Sequence, residues 1–169
     1  MPEIREAGEP TRSTQVSVDP DLRFDSPVLS GILQAWTRLR GDRAMPMPGD
    51  IDPVDLPRDV LPHLLLVDVE HAPSLRFRWR LIGTYATRIL GRDMTGRYWD
   101  EIYDERTFQR IAVGLQWVLR HRVPVRTLGT APDASEHFVR SESAIMPLSS
   151  DGRTIDRMLG AVVYDVAPC

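Results

Sequence analysis

The sequence predicts an α+β domain built on an antiparallel sheet. In the first half of the chain, two segments that alternate apolar and polar residues are joined by the short link HAPSL, which predicts a β-hairpin. A long segment with apolar residues at helical spacing follows, and three further strand-like segments end the chain. Strands at both ends with helices between them favour one mixed domain, which suits a length of 169 residues.

The N-terminal part of the chain divides into a predicted tail and a predicted helix. Residues 1–25 have no periodic apolar pattern and contain two prolines, so we expect a flexible tail. In residues 26–41, Ser26 suits the N-cap of a helix and Gly41 follows its end. The apolar residues of this amphipathic segment share one face: Val28, Leu29, Ile32, Trp36 and Leu39.

The segments LLLVDVE and RFRWRLIG form the predicted hairpin. One face carries Asp68, Glu70, Arg76, Arg78 and Arg80, and the other carries Phe77, Trp79 and Leu81. In a tight hairpin each acidic residue lies opposite an arginine, and such pairs contribute about 0.2–1 kcal/mol each. A nucleic-acid surface needs basic and aromatic side chains on one accessible face. The pattern therefore predicts a structural hairpin whose aromatic residues face the helices.

The composition argues against several classes of partner. A net charge of −3 provides no positive field to attract nucleic acid or an anionic membrane. No apolar run reaches the roughly 18 residues that span a bilayer, and MPEIREAGEPTRS lacks the apolar core of a secretory signal. We therefore expect a cytoplasmic protein with no membrane or nucleic-acid partner.

The second half of the chain predicts two helices and three strands. TYATRILGRD reads as a short helix that ends before Gly91, and ERTFQRIAVGLQWVLRHR reads as the longest helix, capped by Asp104. Strands are predicted in VRTLGT, HFVRSESAIMPL and MLGAVVYDV. The final strand is apolar on both faces, which is typical of a central strand covered on both sides. The N-terminal helix is expected to cover its second face.

The segment LIGTYATRILGRDMTGRYWDEIYDERTFQRI resembles the PAS family. In that family a strand enters a short helix, a pair such as Gly96-Arg97 follows, and an aromatic and acidic stretch precedes the connecting helix. FRWRLIGT followed by GRDMTGR is similar to a group of small bacterial proteins that consist of little but one PAS-like domain. The resemblance covers residues 27–166.

This resemblance implies a five-stranded antiparallel sheet of strand order 2-1-5-4-3, with helices over one face that enclose a small cavity. It predicts a single PAS-like domain over residues 26–169, with an additional N-terminal helix at 26–41 and a PAS core at 62–166. Many PAS domains place an asparagine near the start of the short helix. This chain contains no asparagine, so contacts that depend on that side chain are not expected.

The resemblance implies sensing through a bound cofactor or metabolite, but it leaves the ligand unknown. Flavin-thiol photochemistry needs a cysteine beside the flavin, and the one cysteine, Cys169, is the last residue. Haem-binding PAS domains often supply a histidine from the long helix, where His121 lies. A histidine at a helix C-terminus also favours the helix dipole, so haem is not expected. His63, His71 and His137 are too scattered to predict a metal site.

A group of mostly aromatic and apolar residues is predicted to surround the space between sheet and helices. The predicted ligand-binding residues are Trp79, Tyr85, Trp99, Phe108, Ile111, Leu115, Ser143 and Tyr164, and Ser141 is a further hydroxyl on the same strand. The alternative is that these side chains simply fill the core. Buried tryptophan and tyrosine usually seek a partner for their polar atom, which favours a polar-headed ligand.

Three functions remain open from the sequence. The first is a non-enzymatic sensory or regulatory module that signals in trans by contact with another protein. The second is a ligand-free dimerisation or docking module, and the third is a small α+β enzyme that uses the same pocket. No catalytic motif supports the third, because in GRDMTGR the Gly-x4-Gly spacing lacks the Lys-Ser or Lys-Thr of a phosphate loop.

A homodimer is expected from unpartnered apolar surface. The predicted interface residues are Val28, Leu29, Ile32, Trp36 and Leu39 on the N-terminal helix and Trp117 on the long helix. PAS-like domains commonly associate through a helix that precedes the first strand. The alternative is that this helix folds over its own sheet and that Trp36 is buried within one chain.

Overall fold

Antiparallel pairing joins six strands into one sheet in the computed structural model, which describes residues 16–132 and 138–165. The strands are β1 (Ser17–Asp19), β2 (Leu64–Glu70), β3 (Arg76–Ile82), β4 (Val125–Pro132), β5 (Phe138–Leu148) and β6 (Arg157–Asp165). The helices are α1 (Pro27–Arg40), α2 (Thr84–Leu90), α3 (Trp99–Ile102) and α4 (Glu105–His121). Three short 3-10 turns, at Pro48–Asp50, Pro53–Asp55 and Leu61–His63, lie between α1 and β2.

The strand order is β1-β4-β5-β6-β2-β3. Without β1 this is the predicted five-stranded order 2-1-5-4-3, so that prediction is confirmed. The sixth strand is a correction, because Ser17–Asp19 were expected in a flexible tail and instead pair with the edge of β4. Asp19 lies opposite Arg126, which binds its carboxylate at 3.2 Å. Residues 1–15 of the expected tail lie outside the described residues.

The β2–β3 hairpin has the predicted register at the end next to its turn. Glu70 lies opposite Arg76 and Asp68 opposite Arg78. Phe77 and Trp79 are buried, with 1% and 7% of their surface exposed. The predicted alternation fails beyond that point, because the register shifts by one residue at Arg80. As a result Leu81 pairs with Leu66 and shares the face of Asp68, not the face of Trp79.

Helix α1 covers the second face of the central strands, as the apolar pattern of β6 predicted. The indole Nε1 of Trp36 donates a hydrogen bond to the carbonyl oxygen of Pro147 at 2.9 Å. Ser26 stands at the N-cap position, but its side chain makes no capping hydrogen bond. Leu29 and Ile32 are fully buried. The helix is therefore part of the core of its own chain.

This position of α1 corrects part of the predicted interface. Leu29, Ile32 and Trp36 are not available to a second chain, because their own sheet covers them and Trp36 is only 4% exposed. The helical period shows that a face is buried, but it does not show what buries it. The other predicted interface residues, Val28, Leu39 and Trp117, are partly exposed.

Helices α2, α3 and α4 lie over the opposite face of the sheet. Asp104 caps α4 as predicted, with its carboxylate accepting a hydrogen bond from the backbone N–H of Thr107 at 2.7 Å. Gly114 lets the middle of α4 approach the sheet closely, since a Cβ there would lie 2.7 Å from Cγ2 of Thr127. None of the helices in the described ranges combines the length and hydropathy needed to cross a bilayer.

Candidate functional site

A cavity of about 480 Å³ lies between the sheet and helices α2–α4. Small-molecule sites typically measure about 300–1,000 Å³. The sequence left open the alternative that the aromatic and apolar side chains simply fill the core. A filled core would leave no space of this size. Its walls come from strands β2 to β6 and from all three helices on this face.

Most of the predicted ligand-binding residues line this cavity. Six of the eight do so: Trp79, Trp99, Ile111, Leu115, Ser143 and Tyr164. Ser141, two residues before Ser143 on the same strand, also lines it. The alternation of β5 places both hydroxyls on the α4 side of the sheet, while Glu142 between them faces α1.

The other two predicted residues lie beside the cavity and do not line it. The hydroxyl of Tyr85 donates a hydrogen bond to the carbonyl oxygen of Tyr164 at 2.9 Å, which ties α2 to β6. The ring of Phe108 packs against Phe77 and Trp99, with centroids 6.2 and 6.4 Å apart. These two side chains therefore support the walls, which corrects their assignment as ligand contacts.

Several polar lining residues were missed by the sequence analysis. Arg110 and Thr107 lie on α4, and Thr127 and Thr130 lie on β4. The hydroxyls of Thr127 and Ser143 are hydrogen-bonded to each other across the β4–β5 pair. Thr107, Arg110 and Ile111 stand at positions i, i+3 and i+4 of one helix face. Because Ile111 was predicted to line the cavity, this spacing was a usable signal for Arg110. The Thr127–Ser143 contact had no such signal, because it depends on the pairing register of β4 and β5.

Arg110 is a partly buried cation in the cavity wall. Its guanidinium donates a hydrogen bond to the carbonyl oxygen of Thr130. Burial holds the pKa of this guanidinium below its ordinary value, and repulsion from Arg106 lowers it further against a smaller opposing effect of Asp104. Arg92, which is exposed, also lines the cavity and marks its mouth.

The two tryptophans of the cavity differ in how their indole N–H groups are bonded. The Nε1 of Trp79 donates to the hydroxyl of Tyr103 at 3.2 Å. The Nε1 of Trp99 is buried and has no acceptor among the described residues. Burial raises the pKa values of Tyr103 and Tyr164, so both phenols are protonated and neutral at physiological pH.

The N-terminal segment forms part of the cavity wall. Val16 lines the cavity, and it lies so close to β4 that a Cβ at Gly129 would be 3.0 Å from Cγ2 of Val16. Arg126 on the same strand holds this segment by ion pairs with Asp19 at 3.2 Å and Asp25 at 3.1 Å. The cavity is therefore in direct contact with the segment that begins at Val16.

The arginines of β3 lie outside the cavity and are paired with carboxylates. Arg76 donates two hydrogen bonds to Asp100 at 2.7 and 2.8 Å. Asp68 pairs with Arg78 at 2.8 Å and with Arg80 at 3.6 Å. This surface is the one expected of a structural hairpin, while the absence of a nucleic-acid partner stays a prediction.

In the part of the chain that the structure describes, no three histidine, cysteine or carboxylate side chains cluster so that they could hold a metal ion. His121 is exposed and does not line the cavity. The rings of His63 and His71 are hydrogen-bonded to backbone carbonyl oxygens, at 2.9 and 2.7 Å. His137 and Cys169 lie outside the described residues.

Comparison with known proteins matches the family model of the PAS domain to residues 24–163. No curated protein matches the chain. An RNA-binding light-oxygen-voltage receptor is similar in structure, at 18% identity and a TM-score of 0.52, over 93% of this chain and 40% of that one. This similarity supports the fold alone, and RNA binding and light reception are properties of that receptor.

Two further structures are more weakly similar. A LOV protein of Rhodobacter sphaeroides has 13% identity and a TM-score of 0.47, over 60% of this chain and 58% of that one. A sensory box histidine kinase/response regulator from Burkholderia thailandensis has 18% identity and a TM-score of 0.40, over 61% of this chain and 77% of that one. The chain thus spans less than two thirds of the LOV protein and of the RNA-binding receptor.

Proposed function

This chain belongs to the PAS domain family, and we propose that it is a non-enzymatic sensory module that binds a small organic molecule in its cavity. The observation that carries the proposal is the cavity of about 480 Å³ in a core that could have been filled. Tightly packed interiors leave few voids larger than a water molecule, so a space of this size favours an occupant. An occupied cavity also argues against a purely ligand-free docking module.

The charged groups of the cavity support binding over catalysis. Asp104 is the one carboxylate among the described lining residues, and it serves as the cap of α4. Hydrogen bonds from the backbone and side chain of Thr107 hold the pKa of Asp104 below its ordinary value. A general base works best with a pKa near the operating pH, and this carboxylate is a poor candidate.

We propose that the response to the ligand leaves through the N-terminal segment, residues 16–26. Strands β4 and β5 connect the cavity to this segment, because their side chains alternate between the cavity and the opposite face of the sheet. Thr127 and Ser143 face the cavity, and their neighbours Arg126 and Glu142 hold the N-terminal segment. A ligand that shifts these strands would therefore change the position or mobility of that segment.

The signal would then pass to another protein in trans. We expect a homodimer, in which the accessible contacts include the partly exposed Val28, Leu39 and Trp117. Leu29, Ile32 and Trp36 are excluded from that contact because their own sheet buries them. Light scattering on the purified chain measures the mass directly, and a monomer at high concentration contradicts this part of the proposal.

Filling the cavity tests the central part of the proposal. Ser141→Leu adds apolar volume inside the cavity, and Ser141→Ala is the matched control that removes the hydroxyl without filling the space. Mass spectrometry after denaturation should detect the same small molecule in the purified wild type and in Ser141→Ala, but not in Ser141→Leu. If no molecule is released and Ser141→Leu raises the free energy of unfolding, the cavity is empty in solution and the proposal is wrong.

A further inference from the structure

Arg110 is an exception among the arginines that pack against this sheet. Arg126, with a side chain only 10% exposed, pairs with three carboxylates, those of Asp19, Asp25 and Glu142. Arg110 is partly buried in the cavity wall, and its hydrogen bond goes to a neutral carbonyl oxygen of Thr130. Within the described ranges it forms no salt bridge. A partly buried cation with a neutral partner leaves room for an anion.

The other polar groups around the cavity are an indole N–H and several hydroxyls. Trp99 is 2% exposed, and its indole Nε1 has no hydrogen-bond partner among the described residues. This nitrogen has almost no accessible surface, so a molecule in the cavity cannot reach it, and the donors open to a ligand are Arg110 and the hydroxyl side chains. Ser141, Thr107 and Thr130 add polar side chains to the wall. The polar part of the cavity is therefore rich in donors.

The remaining wall is apolar. It includes Leu65, Val67, Ile102, Leu115, Met158 and Val162. A molecule that fits this cavity must bring an apolar body together with an acceptor group. Among the described lining residues the charged ones are Arg92, Arg110 and Asp104, which together leave one excess positive charge. A single negative charge on the ligand would balance it.

We propose that the ligand is a monocarboxylic acid with an aliphatic or aromatic body, whose carboxylate binds the guanidinium of Arg110. This inference rests on the proposed function, because it names the class of ligand for the same cavity. The two oxygens of a carboxylate match the paired N–H groups of a guanidinium, and charge-assisted bonds of this kind are among the strongest in proteins. The apolar body fills the space against Leu115 and Met158.

Calorimetric titration with two probes of equal chain length tests the proposal. The full-length chain is stripped of bound molecules by unfolding and refolding, and is titrated with decanoate and with decan-1-ol. We expect decanoate to bind at least about tenfold more tightly than decan-1-ol. Arg110→Met keeps the aliphatic stem and removes the charge, and it should weaken decanoate binding by at least about tenfold while decan-1-ol binding is unchanged.

Arg106→Met is the matched control, because Arg106 lies on the same helix but is exposed and does not line the cavity. It should leave both affinities within about twofold, as expected of a surface substitution. Unchanged decan-1-ol binding in Arg110→Met also establishes that this variant is folded with its cavity intact.

The outcomes separate this inference from the proposed function. Equal affinity of the wild type for the two probes, or no effect of Arg110→Met on decanoate, overturns the carboxylate inference and leaves the cavity as a ligand site. Tighter binding of decyl phosphate than of decanoate overturns the monocarboxylate class. Failure of the wild type to bind either decanoate or decan-1-ol overturns the carboxylate inference, and the proposed function falls as well only if mass spectrometry also finds no released molecule.

Discussion

Glu142 accepts two hydrogen bonds from Arg126 on the neighbouring strand, at 2.7 and 3.2 Å, with both side chains about nine-tenths buried. The same carboxylate accepts hydrogen bonds from the backbone N–H groups of Asp25 at 3.2 Å and Ser26 at 3.1 Å. One ion pair in the middle of the sheet therefore holds the start of α1. This contact is the mechanical link on which the proposed response depends.

Removing this carboxylate should destabilise the protein clearly. In Glu142→Ala, Arg126 keeps Asp19 and Asp25 but loses its most buried partner, so we expect the free energy of unfolding to fall by about 2–3 kcal/mol. Asp165→Ala is the control, because Asp165 pairs with Arg140 on the exposed surface and should cost about 1 kcal/mol or less. Urea unfolding measures both, and equal losses would contradict the role of Glu142.

The contribution of Glu142 should depend on pH. Burial raises the pKa of this carboxyl, but hydrogen bonds from Arg126, Ser26 and Asp25 together hold it below its ordinary value of 4.5. A pKa lowered by folding stabilises the folded state above the ordinary pKa, and this stabilisation is lost as the pH falls through the folded pKa. The difference in unfolding free energy between wild type and Glu142→Gln should therefore shrink below pH 4.5. A difference that is the same at pH 7 and at pH 3 would show that Glu142 is not bound as an anion.

Loss of Arg78 from the hairpin should cost little stability, but loss of Asp68, the carboxylate that several arginines share, should cost more. Asp68 is 7% exposed and is bound by Arg78 at 2.8 Å and by Arg157 at 2.9 Å. Arg78→Ala leaves Arg157 in place and should cost about 1 kcal/mol or less. Asp68→Ala removes the common partner and should cost about 1–2 kcal/mol more. The thermal midpoints of the two variants measure this, and a larger loss in Arg78→Ala than in Asp68→Ala would contradict the shared-partner arrangement.

Gly83 should tolerate no side chain. A Cβ at this position would lie 2.6 Å from the carbonyl carbon of Pro62, and a backbone atom cannot rotate away. We expect Gly83→Ala to lower the free energy of unfolding by about 2–3 kcal/mol. Gly49→Ala is the matched control, because nothing lies within 4 Å of its Cβ position. Denaturant midpoints that fall equally in the two variants would show that β3 and the turn at Leu61–His63 are not packed as described.

Much of the fold could be predicted because side-chain periodicity reports local structure. The alternation in LLLVDVE and RFRWRLIG fixed which residues of the hairpin oppose each other, and the charge pairs Glu70–Arg76 and Asp68–Arg78 agreed with it. The bulge at Arg80 could not be predicted, because both sides of it keep an alternating pattern. Strand β1 could not be predicted either, because three residues are too few for a period and the edge of β4 provides the pairing.

The candidate site was predictable only in its apolar part. Inward-facing aromatic residues such as Trp79 and Trp99 follow from strand and helix patterns, and they do line the cavity. Arg110 and Thr130 were missed, because their contact joins α4 to β4 and depends on tertiary packing. The interface was misassigned at Trp36 for a related reason. An apolar helix face is expected to be buried, but the sheet of the same chain and a second chain can bury it equally well.

The central claim is that a molecule in the cavity changes the N-terminal segment, residues 16–26. Hydrogen exchange of the full-length chain with and without saturating decanoate, followed peptide by peptide, tests this most directly. The account predicts slower exchange in peptides that cover the cavity strands β4 and β5 and a clear change in the peptide that contains Asp19 and Ser26. Slower exchange confined to cavity peptides, with the N-terminal peptide unchanged, would contradict the account.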